Sequence, residues 1–361
     1  MTNNYKLYIN NLDQLSEIAS YKELLSNHWD NNIYCAIEHL NYFKTNSGKI
    51  KYFTFEKNGN IIVLMSFILR KVENIIEKEY YDVVSPYGYS GPIFSEEADD
   101  RDIAEFWKHV DRWYAQNNVI SEFIRFSLTN NHQNYSGKLI DTLFNVKGKL
   151  LNSFEEQWKS FLPKVRNNYR RAENNNLTFK IFHNNNITEE TISIFEDIYT
   201  NTMKRNNASS IYFFSKKYFK DLIFSNLNNF SIAIVYFEGT PISTELIINI
   251  NKTIYAYLGG TDSNYFSYRP NDFLRVNIIK WAIERKLDYY ILGGGMKNSD
   301  GLYKSKKAFF PKDEDIRFYT GRKIINQEIY NQLCLQIDSD YQNFTENDLD
   351  QKFFPYYRAN G

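Results

Sequence analysis

The chain has only two cysteines in 361 residues, Cys35 and Cys334, which argues against a disulfide framework or a thiolate zinc site and for a reducing compartment. Seven prolines and fifteen glycines are too few for a collagen-like or low-complexity chain. No stretch approaches the roughly 18 apolar residues of a membrane span. The first residues, MTNNYKLYINNLDQL, lack the basic region and apolar run of a secretory signal, so the expected location is cytoplasmic. The five histidines show no ligand spacing, and no metal is expected. Lys+Arg and Asp+Glu both number 43, which excludes a global basic field of the kind that holds nucleic acid. A G-x-S-x-G nucleophile elbow is missing as well.

What the chain does have is aromatic and apolar bulk, 17% and 43% of residues, enough to pack the cores of two domains of ordinary size. Charge is unevenly spread. Residues 1–160 carry 17 Lys+Arg against 21 Asp+Glu, and residues 161–361 carry 26 against 22, so an anionic ligand is expected at the second half.

A polar, helical-looking stretch runs to Leu40. KYFTFEKNGNIIVLMSFILRKV (51–72) then reads as a hairpin turned at Asn58-Gly59. YYDVVSPYGYSGPIF (80–94) is a strand and loop, IAEFWKHVDRWYAQN (103–117) a helix, SEFIRFSLT (121–129) a strand, and TLFNVKGKLLNS (142–153) a hairpin through Lys147-Gly148. The second half opens with a basic helix over 153–176 and a strand, LTFKIF (177–182). Helices follow over 187–206, with Thr188 as cap, and over 216–227. Three strands span 230–262, turned at Glu238-Gly239 and Asn251-Lys252; a helix over 271–286 then leads to the strand DYYILGGG (288–295). Each half thus repeats hairpin strands, a helix and a return strand, which points to duplicated α+β domains.

The segments KVRNNYRRAENNNL (164–177), YTNTMKRNNASSIYFFSKKYFKDL (199–222), GTPISTELIININKTIYAYLGGTDSNYFSYRPNDFLRVNIIKWAIERKLDYYILGGG (239–295) and DGLYKSKKAFFP (300–311), in that order, resemble the FemAB-like branch of the GNAT acyltransferase superfamily. SPYGYSGPIF (85–94) resembles the weaker partner domain of that family. The resemblance implies two tandem GNAT-type domains with mixed central sheets flanked by helices: 1–155, 156–320, and a tail, 321–361, packing back on the first. It implies transfer of an acyl group from acyl-CoA to an amine of a sugar or cell-envelope precursor, as in polysaccharide biosynthesis. Aminoacyl-tRNA is the alternative donor, favoured by the basic stretch 164–171. A non-catalytic module that binds a glycan precursor is the alternative function.

In such folds the donor's pyrophosphate meets backbone N–H groups at the start of the helix after the splayed strand, where the helix dipole is positive. By this resemblance Tyr268, Arg269 and Asn271 would bind the donor, although the usual glycine-rich pattern is missing. Glu245 alternates with Ser243 and Ile247 in an apolar strand and could serve as general base, the alternative being a surface glutamate. Arg205, by family position, and Arg166, on one helical face with Arg170, could contact an anionic acceptor, the alternatives being a helix C-terminus and a solvated basic face. GGGMKNSDGLYKSKK (293–307) is neither a P-loop nor a dinucleotide fingerprint, since the glycines and lysines come in the wrong order. By resemblance, Tyr303 borders the acceptor and Lys306 stabilises an oxyanion or acceptor phosphate. Lys304 and Lys307 are expected to be solvated.

Overall fold

The computed structural model describes residues 4–29, 32–44, 47–73 and 78–359. Contacts gather the chain into two compact units, residues 1–142 with 317–361, and residues 143–316.

The first unit is built on a sheet in the order Tyr5–Asn11, Gly48–Lys57, Asn60–Val72, Tyr80–Val84, Val119–Arg125, Asp315–Ile324. Neighbours are antiparallel except Tyr80–Val84 and Val119–Arg125, which run parallel because helix Asp100–Gln116 returns the chain between them. Asp99 and Asp102 form the reciprocal cap that starts this helix. Ile103, Phe106, Trp107, Val110 and Tyr114 recur at helical spacing and bury against the sheet. The tail packs Tyr330, Leu333 and Cys334 onto Val72 and Ile120 of the same unit. Fully buried Asp82 then accepts from Arg70 at 2.6 Å, Arg358 at 2.5 Å and the Tyr357 hydroxyl at 3.0 Å.

The second unit has the strand order Lys138–Lys149 (through residues 146–149), Tyr289–Gly293, Thr253–Thr261, Thr240–Ile250, Phe230–Phe237, Thr178–His183. Again one neighbouring pair is parallel, Thr253–Thr261 with Tyr289–Gly293, joined by helix Pro270–Glu284. That helix buries residues around most of its circumference, from Phe273 and Leu274 to Ile279 and Trp281, as a helix inside a core must. Helix Glu189–Arg205 covers the opposite face. A Cβ on Gly260 would meet Thr202 Oγ1 at 2.6 Å and the Ile198 carbonyl at 2.7 Å, so this strand position faces that helix closely. Gly259 points the other way, together with Glu245 directly across the ladder, and Glu245 meets Arg275 of helix Pro270–Glu284.

Three expectations need correction. The amino-terminal stretch contains the strand Tyr5–Asn11 before its helices, paired along its whole length with 51–57. Residues 138–149 form one continuous strand without a turn at Lys147-Gly148; Gly148 is small because the Phe310 ring lies on it. The helix over 153–176 is two helices, Phe154–Ser160 and Pro163–Asn174, divided where Pro163 starts the second.

Candidate active site

The parallel ladder of the second unit covers only Thr253–Tyr255 against Tyr289–Ile291. Strand Thr253–Thr261 then continues for six residues after this pairing stops, so the two strands part. A register shift between Leu246 and Ile247 marks a bulge on the neighbouring ladder at the same height. The corresponding place in the first unit is closed. There the Ser85 N–H donates to the Phe123 carbonyl at 2.9 Å, the Arg125 N–H to Ser85 Oγ at 2.9 Å, and the Ser90 N–H to the Arg125 carbonyl at 2.9 Å. The loop 85–90 is therefore stitched across the gap that the second unit leaves open.

Beneath the open parting lies a group of buried polar side chains. Glu245 is 4% exposed and accepts a short hydrogen bond from the Tyr290 hydroxyl. Arg275 Nε stands 3.8 Å from its second oxygen. Burial pushes the Glu245 carboxyl above the ordinary carboxylate range, opposed by the Arg275 guanidinium, the Tyr290 hydrogen bond and the Lys306 charge. Arg275 is itself 7% exposed, and its Nε has no hydrogen-bond partner among the described residues.

Lys306 completes the group. Its Nζ donates to the Gly294 carbonyl at 2.6 Å, just past the end of strand Tyr289–Gly293. Burial, with Arg275 adding to it and Glu245 and Asp300 opposing, lowers its pKa to about 8. The helix Gly301–Lys307 that carries it is started by Asp300, whose carboxylate accepts from the N–H groups of Met296, Lys297 and Tyr303 at 2.7, 3.1 and 2.7 Å. Gly293 turns the chain with φ 74°, and a side chain at Gly295 would strike the Asp300 carboxylate. The glycines and the aspartate thus form the mount for Lys306.

The structure brings Glu245 and Lys306 together and leaves the other expected residues elsewhere in the unit. Tyr268 stacks on Phe237, with centroids 4.8 Å apart, and packs against the core. Arg269 is exposed and left-handed, φ 62°, and Asn271 is exposed in the first turn after it. Arg205 reaches from the helix on the other sheet face to the Thr261 carbonyl at 2.7 Å, and its guanidinium lies over Phe266. It lines a cavity of about 510 Å³ with Asp197, Asn201, Asp262 and Asn264. The Tyr303 hydroxyl donates to Asp315, which with burial raises its pKa to about 12. Arg166 donates to the Phe161 carbonyl, fastening its own helix start. Lys307, expected to be solvated, pairs with Asp315 at 2.9 Å. Arg275 and Tyr290 escaped the sequence reading, though a lone arginine in the apolar run FLRVNIIKWAI and a tyrosine beside Ile-Leu in a buried strand were the available signals.

The helix start carries a carboxylate of its own. Asp272 sits in its first turn, half-buried and held by Asn168, its carboxyl raised by burial, and Pro270 contributes no N–H.

A parted parallel pair, a bulged neighbour, a crossover helix and a polar group beneath the gap are the marks of a GNAT-type fold in the unit 143–316. Residues 159–305 match the family model described as Acetyltransferase (GNAT) domain. Among solved structures, FemX shares the fold at TM-score 0.64 and 11% identity, covering 90% of this chain and 99% of that one. L-PGS from Bacillus licheniformis does so at TM-score 0.55 and 14% identity, covering 88% and 94%. A conserved protein of unknown function from Bacteroides thetaiotaomicron VPI-5482 gives TM-score 0.53 at 11% identity, covering 88% and 100%. No curated protein sequence matches the chain.

Proposed function

We propose that the chain transfers an activated acyl group to an amine of a sugar-linked or cell-envelope precursor, with the chemistry in the unit 143–316. The observation that carries this reading is the Glu245, Tyr290, Arg275 and Lys306 group beneath the parted strands. Amide formation by direct attack needs a positioned amine free of its extra proton and a polarised carbonyl, with no covalent enzyme intermediate. Glu245 and Lys306 supply the proton-handling and electrostatic groups. Arg205 and its cavity serve the polar acceptor, where a guanidinium and two carboxylates suit a ligand with both charges.

Acyl-CoA is the donor that the GNAT domain match supports. Asp272 in the first helical turn and the left-handed Arg269 speak against it and favour a donor needing no pyrophosphate cradle there, an aminoacyl ester carried by tRNA. Among the described residues no helix is long and apolar enough to cross a membrane.

Thermal melts with acetyl-CoA, CoA and uncharged tRNA test the donor. A ligand at a hundredfold its dissociation constant stabilises the native state by about 2.7 kcal/mol, easily read as a melting shift. A shift with tRNA that fades steeply with salt supports the ester donor. A shift with CoA compounds restores the thioester donor, and no shift with any of them turns the reading to a binding module.

A further inference from the structure

We propose that the turn over residues 209–213 docks the chain on an anionic lipid bilayer, its apolar side chains entering the headgroup boundary and the cations beside them meeting lipid phosphates. The inference goes beyond the acyl transfer and stands without it.

Ile211, Tyr212 and Phe213 follow one another in sequence and are 48%, 36% and 38% exposed. Single exposed apolar side chains are ordinary on a protein surface, whereas three in succession on a fixed turn are not. The turn is fixed from beneath. The buried Tyr199 donates its hydroxyl to the Tyr212 carbonyl at 2.7 Å, and the N–H groups of Tyr212 and Phe213 donate to the Ser209 and Ser210 carbonyls, both at 3.0 Å. Phe214, next in the chain, is buried and stacks on Tyr218 with ring centroids 5.1 Å apart. The core therefore takes Phe214 and leaves the three before it outside. Phe266 adds a fourth exposed side chain, its ring beneath the Arg205 guanidinium at the end of the helix from which the turn departs.

Charge and area point to the occupant. Between residues 198 and 220 the chain carries Lys204, Arg205, Lys216, Lys217 and Lys220 and no Asp or Glu. Lys217 and Lys220 pair with Asp221 and Glu189, while the exposed Lys204, Arg205 and Lys216 form no ion pair among the described residues. The nearby acids Glu196, Asp197 and Asp262 belong to the helix body and the cavity rather than to the turn. Arg205 serves that cavity, which leaves Lys204 and Lys216 as the cations on either side of the apolar run. Four side chains that each show a third to a half of roughly 200 Å² expose roughly 350 Å², short of the ~800 Å² per partner that a stable protein interface buries. Nucleic acid needs a row of free cations along its phosphates, and Ile211 offers no face for a base. A bilayer boundary accepts a few apolar and aromatic side chains, and each cation beside them strengthens attachment to anionic lipid. Because Arg205 ends the same helix and lines the cavity, docking here brings that cavity to the headgroup layer.

The test is co-sedimentation of the full chain with vesicles of phosphatidylcholine alone and of phosphatidylcholine mixed with phosphatidylglycerol. Binding is expected to the anionic vesicles, to weaken by about tenfold or more in the double variant Ile211→Ser, Phe213→Ser, and by about fivefold in Lys216→Gln. The variants change exposed side chains only, and an unmoved thermal melt checks their fold. Phe213→Trp gives an independent readout: brominated lipids in the anionic vesicles should quench the added tryptophan, and fluorescence that they leave unaltered overturns the inference. A chain that stays in the supernatant, or a serine variant that sediments as the unaltered protein does, overturns it too. A dimer that the two serines dissociate, or RNA binding that they abolish, assigns the turn to another partner and has the same consequence. No donor or acceptor enters these measurements, so a failure here leaves the acyl-transfer reading to its own melts.

Discussion

Replacing Lys306 by methionine should make the protein more stable at pH 7, and less so as the pH rises. Burial lowers the Lys306 pKa from 10.5 to about 8, which means folding penalises the ammonium form. The penalty is complete below pH 8, shrinks as the pH climbs, and is gone above 10.5, where folded and unfolded chains both carry the amine. At about 1.4 kcal/mol per pH unit, the 2.5 units correspond to about 3 kcal/mol as an upper bound, reduced by water reaching the partly exposed stem. Methionine keeps the apolar stem, so its own loss is confined to the hydrogen bond to Gly294, about 1 kcal/mol. Urea denaturation of both proteins at pH 7 and pH 10 supplies the assay, and the quantity of interest is the change with pH in the difference between them. Other groups titrate alike in the two proteins and cancel, save Glu245, whose carboxyl, raised by burial, loses a favourable neighbour in K306M. The stability advantage of K306M should fall by about 2–3 kcal/mol between pH 7 and pH 10. A difference that stays constant refutes the reasoning, because it would mean that Lys306 keeps its ordinary proton affinity in the fold.

Gly260→Ala should lower stability by about 3 kcal/mol, since the added methyl meets Thr202 Oγ1 and the Ile198 backbone carbonyl of a packed helix; thermal unfolding reads it. Tyr290→Phe removes one donor from the buried Glu245 carboxylate, at about 1–3 kcal/mol and with a further rise in the pH at which Glu245 protonates, measurable by carboxylate 13C titration. Asp82→Ala leaves Arg70 and Arg358 without their buried partner and should cost about 3–5 kcal/mol in chemical denaturation. Arg166→Met, by contrast, should lose about 1 kcal/mol from its helix start and leave ligand-induced melting shifts unaltered.

Turn chemistry made the hairpins legible. Asn58-Gly59 and Glu238-Gly239 adopt the left-handed angles that those turns require, φ 53° and 91°, then 49° and 81°, and Asn251 does the same at 52°. Helical spacing located Asp100–Gln116 and Glu189–Arg205, the latter capped by Thr188 as its side chain suggested. Gly148 misled because a glycine between two lysines reads as a turn, while its actual reason is the Phe310 ring, distant in sequence. Tyr5–Asn11 was missed because an edge strand with mixed exposure draws its regularity from its partner rather than from its own alternation. Of the candidate site, Glu245 stood out as a carboxylate in an apolar strand, and Lys306 through the resemblance of its segment, DGLYKSKKAFFP. Arg275 did not, because its meaning depends on a carboxylate, Glu245, that only the folded sheet brings within reach.

The clasp on Asp82 also orders events in time. Its strand is made early, yet two of the three groups that neutralise and bind it, Tyr357 and Arg358, are translated some 275 residues later. Strand Asp315–Ile324, which completes the same sheet, arrives late too. While the ribosome is still at work, the first unit carries a solvated Asp82 and an unpaired sheet edge, which favours a loose, chaperone-accessible state. Its final packing waits for those residues, and a substitution or truncation that removes residues 357 and 358 would be felt first in yield of soluble protein rather than in the chemistry of the other unit.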